Sequence, residues 1–462
     1  MDQPVRTFTL AGLVMFFLLL MHLMPSISID GTELRHVNIL SQLFPDNQKS
    51  EGDVLPAPKA PKAMVAVTDH GKVISFKEKW PKGVEPIVDY SEGKPGGMTF
   101  FYAQLDRSKQ LDRPVRIAYF GDSFIEGDIL TGDLRAMLQN RFGGDGVGWI
   151  DCTMPSSTVR RTISQKSNGI TAYSAIKKPF DKARQGISLR YFVGAEGATT
   201  SAHGSKAQPH VDHWTNATLF FSSPQAMRVS VQAGSLPSSD HLTAASNDVQ
   251  MLKTKGKMSS VSYRFSEITP HTTLYGMALE SDRGVILDNL SMRGASGVQL
   301  EAIPQKTLTG FAHLRPYDLI IVHFGLNEAV KGNTIPLLKG YMKRMKKAIE
   351  AFRSAFPEAS ILVVSVPDRD QRTADGITTL QEVKDLVSLQ AQLAADCHVG
   401  FYNFYQAMGG QGSMKKLVDG NLANKDYTHL SFGGGKLVAK KMYSSFIAGF
   451  DNYKRRKALE QQ

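Results

Sequence analysis

The sequence predicts an α/β protein: a parallel sheet covered on both faces by helices, with an antiparallel β-sandwich inserted into it. Three observations predict this. Near-continuous apolar runs at 115–120, 285–290, 319–324, 361–366 and 399–405 alternate with helical stretches, among them 335–356 and 380–397. Between 151 and 282 that texture stops, and short alternating runs separated by Gly, Ser, Asn and Asp replace it. Of the 462 residues, 42% are hydrophobic and 21% charged, enough apolar material for cores in more than one domain.

Taken in chain order, Arg6 precedes an apolar run at 8–24 broken only by Thr9, Gly12 and His22. This has the n- and h-regions of an export signal and is shorter than the ~20 residues of a full membrane span. Residues 1–28 are therefore read as a signal peptide or an uncleaved inner-membrane anchor, in an exported protein of the periplasm or cell envelope. Residues 29–95 read as an irregular linker, with a stiff Pro/Ala/Lys spacer at 55–63. The first part of the α/β domain, 96–150, holds a short helix at 98–110, the strand at 115–120, a tight turn, and a helix with Leu134, Met137, Leu138 and Phe142 on one face. The inserted sandwich takes 151–284, with strands at 188–193, 217–222, 227–232, 261–265 and 273–277. The second part of the α/β domain, 285–455, closes on a helix carrying Val438, Met442, Phe446 and Phe450. Lys454-Arg455-Arg456-Lys457 reads as a solvated helix end, and 456–462 as a basic and polar tail.

The net charge of +11 favours anionic partners in general. No nucleic-acid-binding motif and no basic stripe interleaved with aromatics accompanies it, which excludes nucleic acid as the partner class. Cys152 and Cys397 form no C-x-x-C pair and read as buried thiols, with one disulfide as the alternative in an exported chain. His203, His210, Asp212 and His213 lie close in sequence without a common ligand spacing, and read as a polar loop rather than a metal site. His323, inside an apolar strand, reads as a core histidine. Asp368-Arg369-Asp370 reads as a self-paired charged turn, with Asp368 a candidate substrate contact at the sheet edge.

Four blocks carry chemistry. Gly121-Asp122-Ser123 follows a strand and precedes a helix, which sets a serine hydroxyl at the carboxyl edge of an open sheet, where ligands bind. The helix after it would direct backbone N–H groups at a developing oxyanion. A serine is a weak nucleophile and needs a positioned base. Asp426-Tyr427-Thr428-His429 offers one, since a carboxylate three residues before a histidine can hold the imidazole in the proton-accepting tautomer. Asn327, in Gly325-Leu326-Asn327-Glu328, can donate its amide to an oxyanion. Arg293-Gly294-Ala295-Ser296-Gly297 offers glycine N–H groups that no side chain shields. Each block alone fits an ordinary turn.

Together and in this order, the blocks resemble the SGNH (GDSL-like) hydrolase superfamily. The wider opening around Tyr119-Phe120-Gly121-Asp122-Ser123-Phe124 looks like an envelope subgroup with a β-sandwich insert, which includes peptidoglycan and polysaccharide O-acetylesterases. The resemblance covers 112–150 and about 285–450. It implies a flavodoxin-like three-layer α/β/α sheet, and Ser123, His429 and Asp426 as nucleophile, base and orienting acid. It also implies an oxyanion hole of the Ser123 N–H, the Gly297 N–H and the Asn327 side chain, with neither metal nor organic cofactor. Gly297 rather than Gly294 is preferred because it follows Ala295-Ser296. Glu328 stands where many members have Asp. Asp122 and Glu328 join Asp368 as candidate substrate contacts. The expected activity is removal of O-acyl groups, acetyl above all, from an acylated polysaccharide or peptidoglycan. Acyl transfer to a glycan hydroxyl by the same residues, or a non-catalytic glycan-binding scaffold, are the alternatives.

Overall fold

The computed structural model describes residues 64–154, 160–373 and 376–462, with isolated positions before 64. The chain divides into two compact units, Met1–Leu55 and Pro56–Gln462. In the first, described positions within 9–17 are helical and Ser28–Ile29 pairs antiparallel with Thr32–Glu33. Most of the expected signal or anchor, including the 25–27 stretch, and most of the 55–63 spacer lie outside the described residues. Among the described residues no helix is long and apolar enough to cross a membrane.

The second unit is built on a six-stranded sheet. Its order is Val285–Ser291, Val115–Gly121, Leu319–His323, Ser360–Val364, Gly400–Tyr402 and Ile87–Asp89. The first five run parallel and the last antiparallel. The four longest are buried along their whole length, which explains their near-continuous apolar character, with Arg116 and Asp288 as buried exceptions. Numbering the parallel strands by sequence gives the doubly wound order 2-1-3-4-5. The helices Met98–Asp106, Thr131–Phe142 and Phe432–Glu460 pack together, as do Gln305–Leu314, Ile335–Ala355 and Gln381–Asp396. The last helix starts at a Ser431 cap, and its opening glycines let it seat closely. A Cβ on Gly434 or Gly435 would lie 1.9 Å from the carbonyl oxygen of Leu422 or Ile129.

The insert is a nine-stranded antiparallel sheet folded over its own core. Trp214, Leu219, Phe221, Val229, Tyr263 and Met277 fill that core. The long strand Arg190–Gly204 joins the layers, pairing with Ser260–Ser266 near one end and with Thr273–Glu280 near the other. All five sequence-read strands are present. Ile163–Ser174 and Ser246–Met258 were not legible, because their outward positions are polar, as in Lys253, Lys255 and Lys257.

Several boundaries move. Ile87–Asp89 makes the region before 95 part of the sheet rather than linker. The insert begins at Gly148–Ile150, which pairs with Thr273–Glu280. The run at 399–405 breaks after Tyr402, where the Asn403 side chain accepts the Gln406 N–H and starts a short helix. The helix end expected at 454–457 runs on to Glu460. It is tied down by Arg456, which donates to Thr99 Oγ1 at 2.9 Å. Both cysteines are buried free thiols. His210 bonds Asp145 and Asn140, and His213 bonds Asp212, as a polar loop would.

Insert and α/β domain meet through buried charge. Glu280 accepts from Arg116 at 2.7 Å and from Arg315 at 2.8 Å. Asp288 accepts from Arg315, Tyr317 and the Trp149 N–H, at 2.7–2.9 Å. Burial alone would raise the Glu280 carboxyl, but the two arginines outweigh it and bring it down to about 2. Asp288→Ala leaves the Arg315 guanidinium half-paired in the interior and orphans the Trp149 N–H. It should cost roughly 3–5 kcal/mol in denaturant-induced unfolding. A loss below about 1 kcal/mol, the range of a surface pair, would refute this account.

Candidate active site

Strand register assembles the site. Gly121 lies beside Ser291 on one side and His323 on the other, so three strands end at one level. The blocks that follow them, carrying Ser123, Gly297 and Asn327, emerge where the strand order reverses, the usual ligand position in such sheets.

Ser123 is 9% exposed, and its Oγ lies 2.9 Å from His429 Nε2. On the other side of the ring, His429 Nδ1 lies 2.8 Å from Asp426 Oδ2. A carboxylate only accepts, so Nδ1 carries the hydrogen and Nε2 is left to accept the serine proton. The Asp426 Oδ1 accepts the N–H groups of Thr428 and His429, both at 3.0 Å. Partial burial would raise this carboxyl, but those N–H groups and the imidazole outweigh it and hold it low, hence ionised.

Asn327 stands on a turn closed by the Glu328 and Ala329 N–H groups donating to Gly325 O. Its Nδ2 donates one hydrogen to Ala295 O at 2.8 Å, which fixes the amide and leaves the second hydrogen available. Gly297 has φ +90°, and a Cβ there would lie 2.7 Å from the Phe324 ring. Gly294, also at positive φ, meets only Ile176 at 3.6 Å. Of the two glycines, Gly297 is therefore the one packed against the strand end that leads to Asn327.

The three candidate substrate contacts fare differently. Asp122 is 2% exposed and lies beneath the nucleophile turn, where it accepts the Phe124 N–H at 2.9 Å with the Leu326 N–H also directed at it. It ties the serine block to the asparagine block instead of reaching solvent. Burial pushes its carboxyl up to about 6, against the opposing pull of those N–H groups and of His429. Glu328, half-buried, bonds Ser296 of the glycine block, and burial raises its carboxyl. Asp368 is fully buried and accepts from Thr379, Ser413 and the Met414 N–H, so it anchors the helix Ser413–Asp419 and cannot meet substrate.

Two further sequence expectations change. The helix after Ser123 begins only at Thr131, behind a turn and the single 3-10 turn Glu126–Asp128, so its N-terminus does not adjoin the serine. The charged turn is not self-paired: Arg369 Nη1 donates to Leu326 O at 2.9 Å and to Ala329 O at 3.3 Å, while the Asp370 N–H donates to Tyr427 O at 3.2 Å. This segment braces the Asn327 turn and the Asp426 loop together, a role that flanking acids concealed in the sequence. His323 sits under the site with Nδ1 on Tyr119 OH at 2.9 Å, and burial holds it neutral, down to about 3.

No protein-family model matches the chain, and no curated protein matches its sequence. A solved structure of a peptidoglycan O-acetylesterase superimposes with a TM-score of 0.66, over 79% of this chain and 99% of its own, at 19% identity. The likeness is one of fold: the three-layer α/β/α sheet with its β-sandwich insert is present here. A family two carbohydrate esterase from Clostridium thermocellum aligns at 10% identity over 62% of this chain and 100% of its own. Its TM-score of 0.29 is too low to carry an argument.

Arg369→Gln should speed amide exchange at 325–329 by local opening, while global stability falls by only about 1–2 kcal/mol. Unchanged exchange there, measured by mass spectrometry, would remove the bracing role. Asp122 titrates near 6 when folded against 3.8 ordinarily, so the folded state binds the extra proton between those values. The stability this confers is present below about pH 4 and lost as pH rises through about 6. Relative to Asp122→Asn, the wild type should therefore lose roughly 2–3 kcal/mol between about pH 4 and pH 7. Denaturant titrations at both pH values test this, and a pH-independent difference contradicts it.

Proposed function

We propose that this protein is an exported serine esterase that removes O-acyl groups, above all acetyl, from a polysaccharide or peptidoglycan through an acyl-serine intermediate. The observation that carries the reading is the unbroken series of Ser123 Oγ, His429 and Asp426, with contacts of 2.9 and 2.8 Å. The fold shared with a peptidoglycan O-acetylesterase supports the substrate class. The apolar run at 8–24 supports export.

In this mechanism Ser123 Oγ attacks the ester carbonyl carbon as its proton passes to His429 Nε2. Charge gathers on the carbonyl oxygen, and the Ser123 N–H, the Gly297 N–H and the second Asn327 amide hydrogen receive it. One such donor is worth roughly 3–4 kcal/mol in the transition state. As the tetrahedral centre collapses, the C–O bond to the sugar breaks and His429 returns the proton to the leaving alcohol. Water then gives its proton to His429 and attacks the acyl-serine, releasing the acid and restoring the hydroxyl. Asp426 keeps the ring oriented and stabilises the imidazolium in both halves.

Ser123→Ala should lower hydrolysis of an aryl acetate and acetate release from O-acetylated glycan by roughly 10³-fold or more. The thermal transition should be nearly unchanged, since only a hydroxyl is lost. Activity retained in that variant sinks the proposal.

A further inference from the structure

The start of the last helix also forms one wall of a second recess. Phe432, its first residue, lies under the guanidinium of Arg161, whose Cζ is 3.9 Å from the ring centroid. Arg161 and Gln208 from the insert, with Gly127, Asp133, Phe432 and Lys436 from the α/β domain, help enclose a cleft of about 220 Å³. That is below the roughly 300 Å³ of drug-sized pockets, and suits a single small ring. Gly127 is four residues from Ser123 and Phe432 three from His429. The cleft wall therefore comes within roughly 14 Å of the nucleophile along one strand of chain and within roughly 11 Å of the base along the other.

Its charge is unbalanced. Asp128, at the back, is already neutralised by Arg135 and Arg160. Asp133 faces Lys436, whose charge offsets part of the burial that raises the Asp133 carboxyl. Arg161 is exposed and, among the described residues, donates to no protein acceptor; its contact is the Phe432 ring. Stacking on an aromatic face orders a guanidinium and leaves its edge, a fork of N–H donors matched to a carboxylate, turned outward. Gln208 closes the wall beside them, its amide packed against Gly132, where a Cβ would come within 2.7 Å of Oε1.

We propose that this cleft is a subsite for a carboxylate-bearing pyranose, adjacent in the glycan chain to the residue whose ester reacts at Ser123. The carboxylate pairs with Arg161 and Lys436, and the ring lies in the cleft that Gln208 closes. The substrate is thereby an acidic glycan, an inference that rests on the esterase reading above. Two sources share this chemistry, the lactyl ether of a muramic acid and the carboxyl of a uronic acid.

Calorimetric binding to full-length Ser123→Ala protein tests the subsite apart from turnover. The probes are N-acetylglucosaminyl-N-acetylmuramic acid, trigalacturonate, and the carboxyl-reduced form of each. At least one charged probe should bind, and the one that does names the source; its reduced form should bind roughly tenfold more weakly. Adding Arg161→Gln, or separately Lys436→Gln, should remove most of that preference. Both positions are exposed, so folding is not at stake. Equal binding of charged and reduced forms, no binding of either charged probe, or a preference that survives both substitutions overturns the subsite. Failure of the wild type to cleave an aryl acetate would instead overturn the esterase reading, and the binding comparison would still decide the subsite.

Discussion

The parallel register at the centre of the sheet is the constraint on which the site depends. Gly121, Ser291 and His323 sit side by side, so the segments leaving those three strands start from a common line. A one-residue slip would exchange the two faces of a strand, and since both are packed it would set every side chain against the wrong neighbours, so close packing on both faces holds the register. Cross-bonds finish what register begins. Asn327 reaches Ala295 O, Asp122 receives N–H groups from the serine and asparagine blocks, and Arg369 grips the carbonyls flanking Asn327. Ser123 and its surroundings are thus fixed by backbone contacts, the rigidity that the proposed acyl transfer would use.

Around that line the molecule carries an unusual weight of interior charge. Asp128 receives Arg135 and Arg160 together with Thr131, Thr162 and Asn289, and these arginines outweigh burial to hold its carboxyl far below the usual range. Buried ion pairs add little net stability compared with a packed apolar core, because desolvation offsets attraction. They are geometrically demanding, however, and a half-made cluster is worse than none. Here they fix where the inserted sheet meets the parallel one, and that junction borders the recess behind the last helix.

Much of this was legible in the sequence. The four blocks carry the expected residue types in the expected order, and fully buried strands leave near-continuous apolar runs. What stayed hidden has particular causes. Ile87–Asp89 is an edge strand too short to show a period. The strand Ser246–Met258 keeps lysines on its outer face, and so reads as polar loop. Asp122, Asp368 and Arg369 were read as surface groups because a sequence gives residue type and not depth. Each is acidic or basic beside a functional block, yet two are buried acceptors of backbone N–H groups and the third caps carbonyls across the sheet edge.

The insert leaves the α/β domain after the helix Thr131–Phe142 and rejoins it at the start of the second parallel strand, and its border is sealed by charge contributed from both sides. Excising it would not simply shorten a loop. Asp128 would be deprived of Arg160 and Thr162, and Arg116 and Arg315 of Glu280, leaving unmatched ions inside whatever remained. The sandwich is consequently no modular appendage that evolution or an engineer can trade for another. Divergence at this border has to proceed by paired replacements on the two sides, so parallel sheet and inserted sandwich change together.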